Sequence, residues 1–484
     1  MKLNDILSGI EYEIIKENLD INISDVCYDS RKVSQGSVFV CLVGANSDGH
    51  DYIDMAINKG ANAVVVEKDV EIDSDVTVIK VSDTRRVLSR LAINYYGNPG
   101  SELTMIGITG TKGKTTTASM IKNILEEDSK SVGLIGTLGV MFNDKYYSTV
   151  NTTPESLELQ KYLREMVNDG VKYVVMEVSS QALKVGRVDG MTFDYGIFTN
   201  LTQDHIGDNE HPDMEDYIYS KSLLFRMCKH GVFNIDDEYY GNMIKDSTCD
   251  IHTFGHSSEA DLVIDSVKLL RREHFIGIEI TTSGVINDTF LVNTPGEFSA
   301  YNSVCAIMIT NYLGCKIDSI KKALEKVAVK GRMEIVPVSD KYSVIIDYAH
   351  NGVSIKSVLE TIRGYNPKRI VSLFGCGGNR SKDRRYDMGE ISGNYSDLTV
   401  VTEDNSRFED VEDIMNDIEI GLKKTSGKYV KIGNRTDAIR YVLENAQEGD
   451  IILLLGKGHE TYQEKNGIRN HYDEREIIAD IMNK

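Results

Sequence analysis

The seven cysteines of this chain are scattered and form no C-x-x-C pair. That spacing excludes a zinc ribbon and argues against a disulfide framework, so reduced thiols in a cytoplasmic protein are expected. Long apolar runs are also missing: none approaches the ~18 residues of a membrane-spanning helix. The opening MKLNDILSGIEYE has no apolar signal-peptide core, which again predicts a cytoplasmic protein with no membrane partner. Positive charge is scarce, with 54 Lys and Arg against 74 Asp and Glu and a net charge of −20. Nucleic acid is therefore excluded as the main partner, and any anionic substrate must be met by local arginines and lysines. No internal repeat or low-complexity segment appears. What remains is a 484-residue chain of ordinary globular composition, 41% hydrophobic and 26% charged, long enough for about two to four domains.

The stretch richest in chemistry is Leu103 to Thr117, LTMIGITGTKGKTTT. A β-branched apolar run stops at Gly110, and after Gly113 the pattern turns helical at Lys114. Strand, glycine loop and helix start together make a phosphate cradle: backbone N–H groups of Gly110, Thr111, Lys112 and Gly113 and the helix N-terminus face the anion. Lys114 adds a point charge, Thr116 lies in the first helical turn, and the Thr115 hydroxyl suits Mg²⁺. Ile108 stands where the strict pattern wants a first glycine, so the loop is a G-T-x-G-K-T variant. ATP or GTP is the expected ligand.

Around the cradle the chain alternates strand and helix, which predicts an α/β protein with mostly parallel sheets. VFVCLVG, ANAVVVE and VTVIKV are strands of a small first domain, residues 1–101, closed by the turn Asn98-Pro99-Gly100-Ser101. Asp29-Ser30-Arg31 in that domain reads as a cap or turn. A central phosphate-loop domain, 102–332, delivers Glu177, Ser179 and Ser180 at the end of VKYVVMEVSS, and Asp204 and His205 at the end of YGIFTNLTQDH. Ligands bind outside the carboxyl ends of such strands, so both sets should converge on the cradle as a metal–nucleotide site. Lys221, in a helix over 213–225, reads on its own as a solvated lysine. Residues 250–292 alternate and predict antiparallel strands. A helix is expected from Tyr301, with Asn302 in its first turn. The last domain, 333–484, carries four strands (YSVIIDYAH, RIVSLFGCGG, LTVVTEDN, DIILLLGKGHE) emptying into polar or glycine-rich loops, the layout of a Rossmann-like domain.

TGTKGKTT, MEVSSQAL, NLTQDH, Ser220-Lys221, GEFSAYN, KGRME, DYAH and LLGKGHE fall in order along the chain. Together they resemble the Mur ligase family of ATP-dependent amide-bond-forming enzymes, over essentially the whole length. The resemblance implies that a γ-phosphoryl group passes from ATP to a D-glutamyl carboxylate and that an amine then displaces phosphate. It implies Lys114, Glu177, His205 and Lys221 as catalytic positions, with Thr115, Glu177, His205 and Lys221 at Mg²⁺ and Lys221 carrying a CO₂-derived carbamate. Asn302, Arg332 and Asp347 match nucleotide contacts. Ser30, Thr152, Thr153, Ser179 and Arg187 match contacts to a UDP-sugar, UDP-N-acetylmuramoyl-L-alanyl-D-glutamate. Val185 stands where the family commonly has glutamine, which removes one polar substrate contact.

The amine pocket is expected at Asp404-Asn405-Ser406-Arg407, where the diaminopimelate-adding branch reads D-N-P-R. Arg407 and Arg385 could clamp a second carboxylate, which diaminopimelate has and lysine lacks, while Glu460, after Gly456, holds the far ammonium. meso-Diaminopimelate is therefore favoured over L-lysine. A divergent paralogue, a folate-type ligase and a phosphate-loop regulatory ATPase are the other readings. The expected partners are ATP, the nucleotide sugar and the amino acid, on a monomer.

Overall fold

A computed structural model describes residues 1–483 apart from 17–19, 45–46, 208–209 and 273. Packing divides the chain into two compact units: Met1–Val263 with Val304–Ile320, and Ile264–Ser303 with Lys321–Lys484. The chain changes unit three times, inside the strand Leu262–Arg272, the helix Phe298–Tyr312 and the helix Ile317–Glu325, so each unit draws on more than one of the segments 1–101, 102–332 and 333–484.

The first unit contains two sheets. The smaller runs Glu13–Lys16, Thr77–Lys80, Ala63–Val66, Val38–Val40 and Val26–Cys27. Its three inner strands are those the apolar runs predict, and they pair in parallel. The edge strands escape a reading by hydrophobicity. Val26–Cys27 has two residues, and Glu13–Lys16 is mostly exposed and antiparallel.

In the larger sheet, Thr104–Thr109 lies between Tyr173–Glu177 and Phe193–Phe198, parallel to both. Met105, Ile106 and Ile108 are fully buried, because helices cover both faces of a parallel sheet and leave no solvent side for polar residues. The carboxyl ends of these three strands lie side by side, and each leads into residues expected at the site. Further strands extend the sheet through Cys228–Asn234 to Asp250–Gly255. Here the expected antiparallel run is corrected: Asp250–Gly255 pairs in parallel with its neighbour. Its buried half, Thr253 to Gly255, is too short for alternation to report strand direction. Antiparallel pairing is found between Phe275–Gly284 and Asp288–Val292.

The second unit carries a six-stranded sheet in the order Glu334–Val336, Ser343–Asp347, Asp450–Leu455, Arg369–Phe374, Leu398–Val401, Tyr429–Lys431. The inner four are the expected strands and are parallel. The edges have three residues each. Tyr365 ties this sheet's layer to the 264–303 segment of the same unit. Its hydroxyl donates to Gly277 O at 3.0 Å and accepts from Gly296 N at 2.9 Å. The helix Phe298–Tyr312 starts three residues before the expected Tyr301, so Asn302 sits buried in its second turn. Among the described residues no helix is long and apolar enough to cross a membrane, and no cysteine is in a disulfide.

Candidate functional site

In the first unit, Gly110 to Gly113 link the strand Thr104–Thr109 to the helix Lys114–Glu127. Gly110 has φ +148° and Gly113, the N-cap, φ +84°. The loop is held from outside itself. Asn200 O accepts from Thr111 N at 2.8 Å, Asn200 Oδ1 accepts from Lys112 N at 3.0 Å, and Thr199 Oγ1 donates to Lys112 O at 2.8 Å. A Cβ on Gly110 would lie 2.0 Å from Thr199 Oγ1. Gly110→Ala is therefore expected to lose about 2–4 kcal/mol of stability and to weaken ATP at least about tenfold. Urea unfolding and a nucleotide titration check both. Lys114 Nζ caps the loop carbonyls Gly110 O and Thr111 O at 2.8 and 3.0 Å.

Glu177 ends its strand fully buried, and its carboxylate is met by three donors. Thr115 Oγ1 lies at 3.0 Å, Thr137 N at 2.9 Å and Thr137 Oγ1 at 3.1 Å. Gly136 makes room, since a Cβ there would stand 2.3 Å from Glu177 Oε1. From Thr137 the network continues to Thr152 Oγ1 at 3.2 Å. Thr153 Oγ1 donates to Glu177 O at 2.9 Å and accepts from Ser179 N at 3.0 Å. Arg187 donates to Thr153 O and pairs with Glu155 at 2.9 Å. The structure thus brings Thr115, Thr152, Thr153, Glu177, Ser179 and Arg187 into one continuous network. Ser30 is buried in its turn, beside Asp29, whose carboxyl the Arg31 side chain holds below the usual range.

Lys221 is corrected from a solvated lysine to a buried one, 1% exposed. Its Nζ donates to Gly110 O at 2.9 Å and lies 4.5 Å from the centre of the Tyr217 ring. The Tyr217 hydroxyl in turn meets Thr111 Oγ1 at 3.1 Å. Burial, and then the charge of Lys114, push the Lys221 amine well below its ordinary pKa. His205 is exposed, with φ +55°, and pairs with Glu210 at 3.1 Å. Among the described residues no three His, Cys, Asp or Glu side chains gather as a metal cluster. The Thr115 hydroxyl and Glu177 carboxylate are nevertheless hard oxygen donors beside the phosphate loop. That donor set fits Mg²⁺, which completes its shell with phosphate oxygens and water.

In the second unit, KGRME, DYAH and GKGHE meet. Gly331, at φ +68°, packs so closely that a Cβ would lie 2.1 Å from His459 N. Asp347 accepts from Met333 N and Ala349 N at 2.8 and 2.7 Å, and burial raises its pKa. The Arg332 guanidinium lies 4.8 Å over the Tyr348 ring, which packs against His459 at 4.8 Å. Burial and then Arg332 bring His459 down to about 4.

Asp404, Asn405 and Ser406 are buried, and Asn405 Nδ2 donates to Glu460 Oε2 at 2.9 Å. Gly456, at φ +106°, packs against Asp404. Arg407 is pinned by its backbone, N to Glu464 O at 3.1 Å, and by Nη1 to Gly378 O at 2.7 Å. Arg385 departs from the expected clamp. It is 1% exposed and shared between Glu409 and Asp417, each at 2.9 Å. With its charge already matched twice, the expectation of a carboxylate clamp passes to Arg407.

Three family profiles match in order: "Mur ligase family, catalytic domain" over residues 22–96, "Mur ligase middle domain" over 108–310 and "Mur ligase, glutamate ligase domain" over 331–458. The chain is 44% identical, over 100% of its length and 99% of the relative, to the UDP-N-acetylmuramoyl-L-alanyl-D-glutamate–2,6-diaminopimelate ligase of Caldanaerobacter subterraneus subsp. tengcongensis. It is 42% identical, with the same coverage, to the enzyme of that name in Clostridium perfringens. A solved structure of a ligase of that name superposes with a TM-score of 0.73 at 26% identity, covering 100% of this chain and 99% of the other.

Proposed function

The chain belongs to the Mur ligase family, and from that premise we propose that it joins meso-2,6-diaminopimelate to UDP-N-acetylmuramoyl-L-alanyl-D-glutamate, with ATP converted to ADP and phosphate. It is an ATP-dependent ligase of peptidoglycan precursor synthesis. The observation that carries this reading is full-length identity of 39–44% to relatives named for that reaction.

The residues support each requirement of the chemistry. ATP and the substrate carboxylate are both anions, so their repulsion must be cancelled before a phosphoryl group can move. The amides of residues 110–113, the start of the helix Lys114–Glu127 and the Lys114 ammonium supply positive potential. Mg²⁺, held by Thr115 and Glu177 with His205 as the family's further ligand, would neutralise phosphate charge. The D-glutamyl carboxylate takes the γ-phosphoryl group as an acyl phosphate. The neutral amine then forms the C–N bond and gives up one proton to solvent, and phosphate leaves with the C–O electron pair. Thr152, Thr153, Ser179, Arg187 and Ser30 hold the nucleotide sugar, and Asn302, Arg332 and Asp347 the nucleotide. Asp404, Asn405, Ser406, Arg407, Gly456 and Glu460 bind the amino acid.

Lys221 fits a carbamate on physical grounds. Desolvation, and then the charge of Lys114, lower the amine's pKa and so favour the neutral form that is nucleophilic toward CO₂. The Lys221 Nζ forms a bond to carbon and loses a proton, and the carbamate anion then offsets the Lys114 charge.

Phosphate release from ATP is the test, with the UDP-muramoyl dipeptide and either meso-diaminopimelate or L-lysine in separate reactions. Release that requires diaminopimelate is expected. Release with lysine alone would keep the ligase and overturn the substrate. Hydrolysis indifferent to dipeptide and amine would turn the reading to a regulatory ATPase.

A further inference from the structure

The loop from Gly456 to Glu460 contains a lysine to which the reaction as described gives no task. Lys457 is 0% exposed. Its Nζ lies 3.2 Å from Asn405 Oδ1, 3.3 Å from Glu460 Oε2 and 3.8 Å from Asp404 Oδ1. The rings of Tyr462 and Tyr472 stand 5.8 Å from it. An ammonium is driven out of such a place unless charge and hydrogen bonds hold it.

Two features of the cluster point outward to a ligand. First, both contacts to Glu460 fall on one oxygen: Lys457 Nζ and Asn405 Nδ2 donate to Oε2. Asn405 is itself locked, because its Oδ1 also accepts Glu464 N at 2.9 Å. Second, the charges do not balance. In direct contact, Asp404 and Glu460 face one ammonium, that of Lys457. Arg435, paired with Glu474 at 2.8 Å, and Arg384 act on Asp404 only through longer-range attraction. Counted by direct contact, the cluster is one positive charge short, which is what the ammonium of an amino acid brings. Without Lys457 the shortfall would be two, and the burial that already raises the Glu460 pKa would favour its neutral, protonated form.

We propose that Lys457 is a positioning residue for the amine substrate: it fixes Glu460 through Oε2, presents Oε1 to the substrate's ammonium, and sets the pocket's charge to accept one ammonium. This rests on reading the chain as an amino-acid-adding ligase. A lysine whose role was only to fill space would influence all substrates alike through stability.

The test is a kinetic cycle in the full-length enzyme with wild type, Lys457→Met, Glu460→Gln and the double variant. Lys457→Met is expected to raise KM for the amine at least about tenfold, with kcat and the KM values for ATP and nucleotide sugar within about twofold. Because Lys457 acts through Glu460, the double variant is expected to stay within about threefold of the worse single variant. Multiplying effects, or parallel rises in all three KM values, would overturn the proposal. Should Lys457→Met not accumulate folded, the charge-balanced double variant is compared with Glu460→Gln alone. Equal amine KM supports the role, and a further tenfold rise (~) overturns it. Failure of the functional reading shows separately, as wild-type phosphate release that responds to neither amine.

Discussion

Replacing Lys221 with alanine is expected to lower ligase turnover at least about 1000-fold while ATP and nucleotide-sugar affinities stay within a few-fold. The side chain is buried over the Tyr217 ring and bonded to Gly110 O, so the loss is of a group at the cradle itself. Two further variants separate its possible tasks. If the positive charge mattered, Lys221→Arg would retain activity. If the amine serves as the seat of a carbamate, arginine is as inactive as alanine, and a short carboxylic acid added to the alanine variant restores part of the rate. Intact mass of the wild type, taken gently in bicarbonate, should show an added CO₂ that the alanine variant lacks. Full activity in Lys221→Ala would reject the role. The sign of the pH effect follows from the lowered pKa. Between its lowered native value and the ordinary 10.5, the unfolded chain carries a proton on this lysine that the free amine in the fold has lost. The buried amine therefore costs stability there, and the cost shrinks as pH rises toward the ordinary value of 10.5.

The second large effect is expected at Arg407. Arg407→Ala should raise KM for meso-diaminopimelate by about 30- to 1000-fold, the range for removing one partner of a charge-assisted pair. KM for ATP should move less than about threefold. Weak use of L-lysine, which has no second carboxylate, should not worsen. The backbone of Arg407 is held at φ +53° by Glu464 and Asn466. One guanidinium donor goes to Gly378 O, and the remaining N–H groups of the fork suit a carboxylate. Lysine at 407 is expected to recover only part of the loss, since it cannot form the bidentate contact. An unchanged diaminopimelate KM in Arg407→Ala would end the argument for this loop as the carboxylate reader.

Local chemistry was legible in the sequence, whereas chemistry that depends on register was hidden. Gly110 to Thr116 read as a cradle because strand, loop and helix start are contiguous. The residues that hold it, Thr199 and Asn200, follow a different strand and reach Lys112 only because Phe193–Phe198 pairs beside Thr104–Thr109. Thr137 touches Glu177 through the pairing of Val132–Gly136 with Tyr173–Glu177. A glycine before it, at 136, was the one available signal. Lys221 looked solvated because its burial comes from Tyr217 and the cradle loop. Arg385 looked available because Glu409 and Asp417, its partners, are distant in sequence. The two-residue strand Val26–Cys27 and the three-residue edges of the last sheet are too short to carry a period.

The Tyr365 hydroxyl, bonded to Gly277 O and Gly296 N, bears on how the gene could be cut. A fragment expressed from residue 333 onward would leave behind both of its partners and the hairpin Phe275–Gly284 with Asp288–Val292. Ile276, fully buried in the same core as Ile362 and Ile370, would go with them. Such a fragment would expose an apolar face and a stranded phenol, and should aggregate where the intact chain does not. A recombination breakpoint at the family-profile border near 331 would meet the same obstacle. Exchange of this half between relatives therefore needs a graft that also takes 264–303.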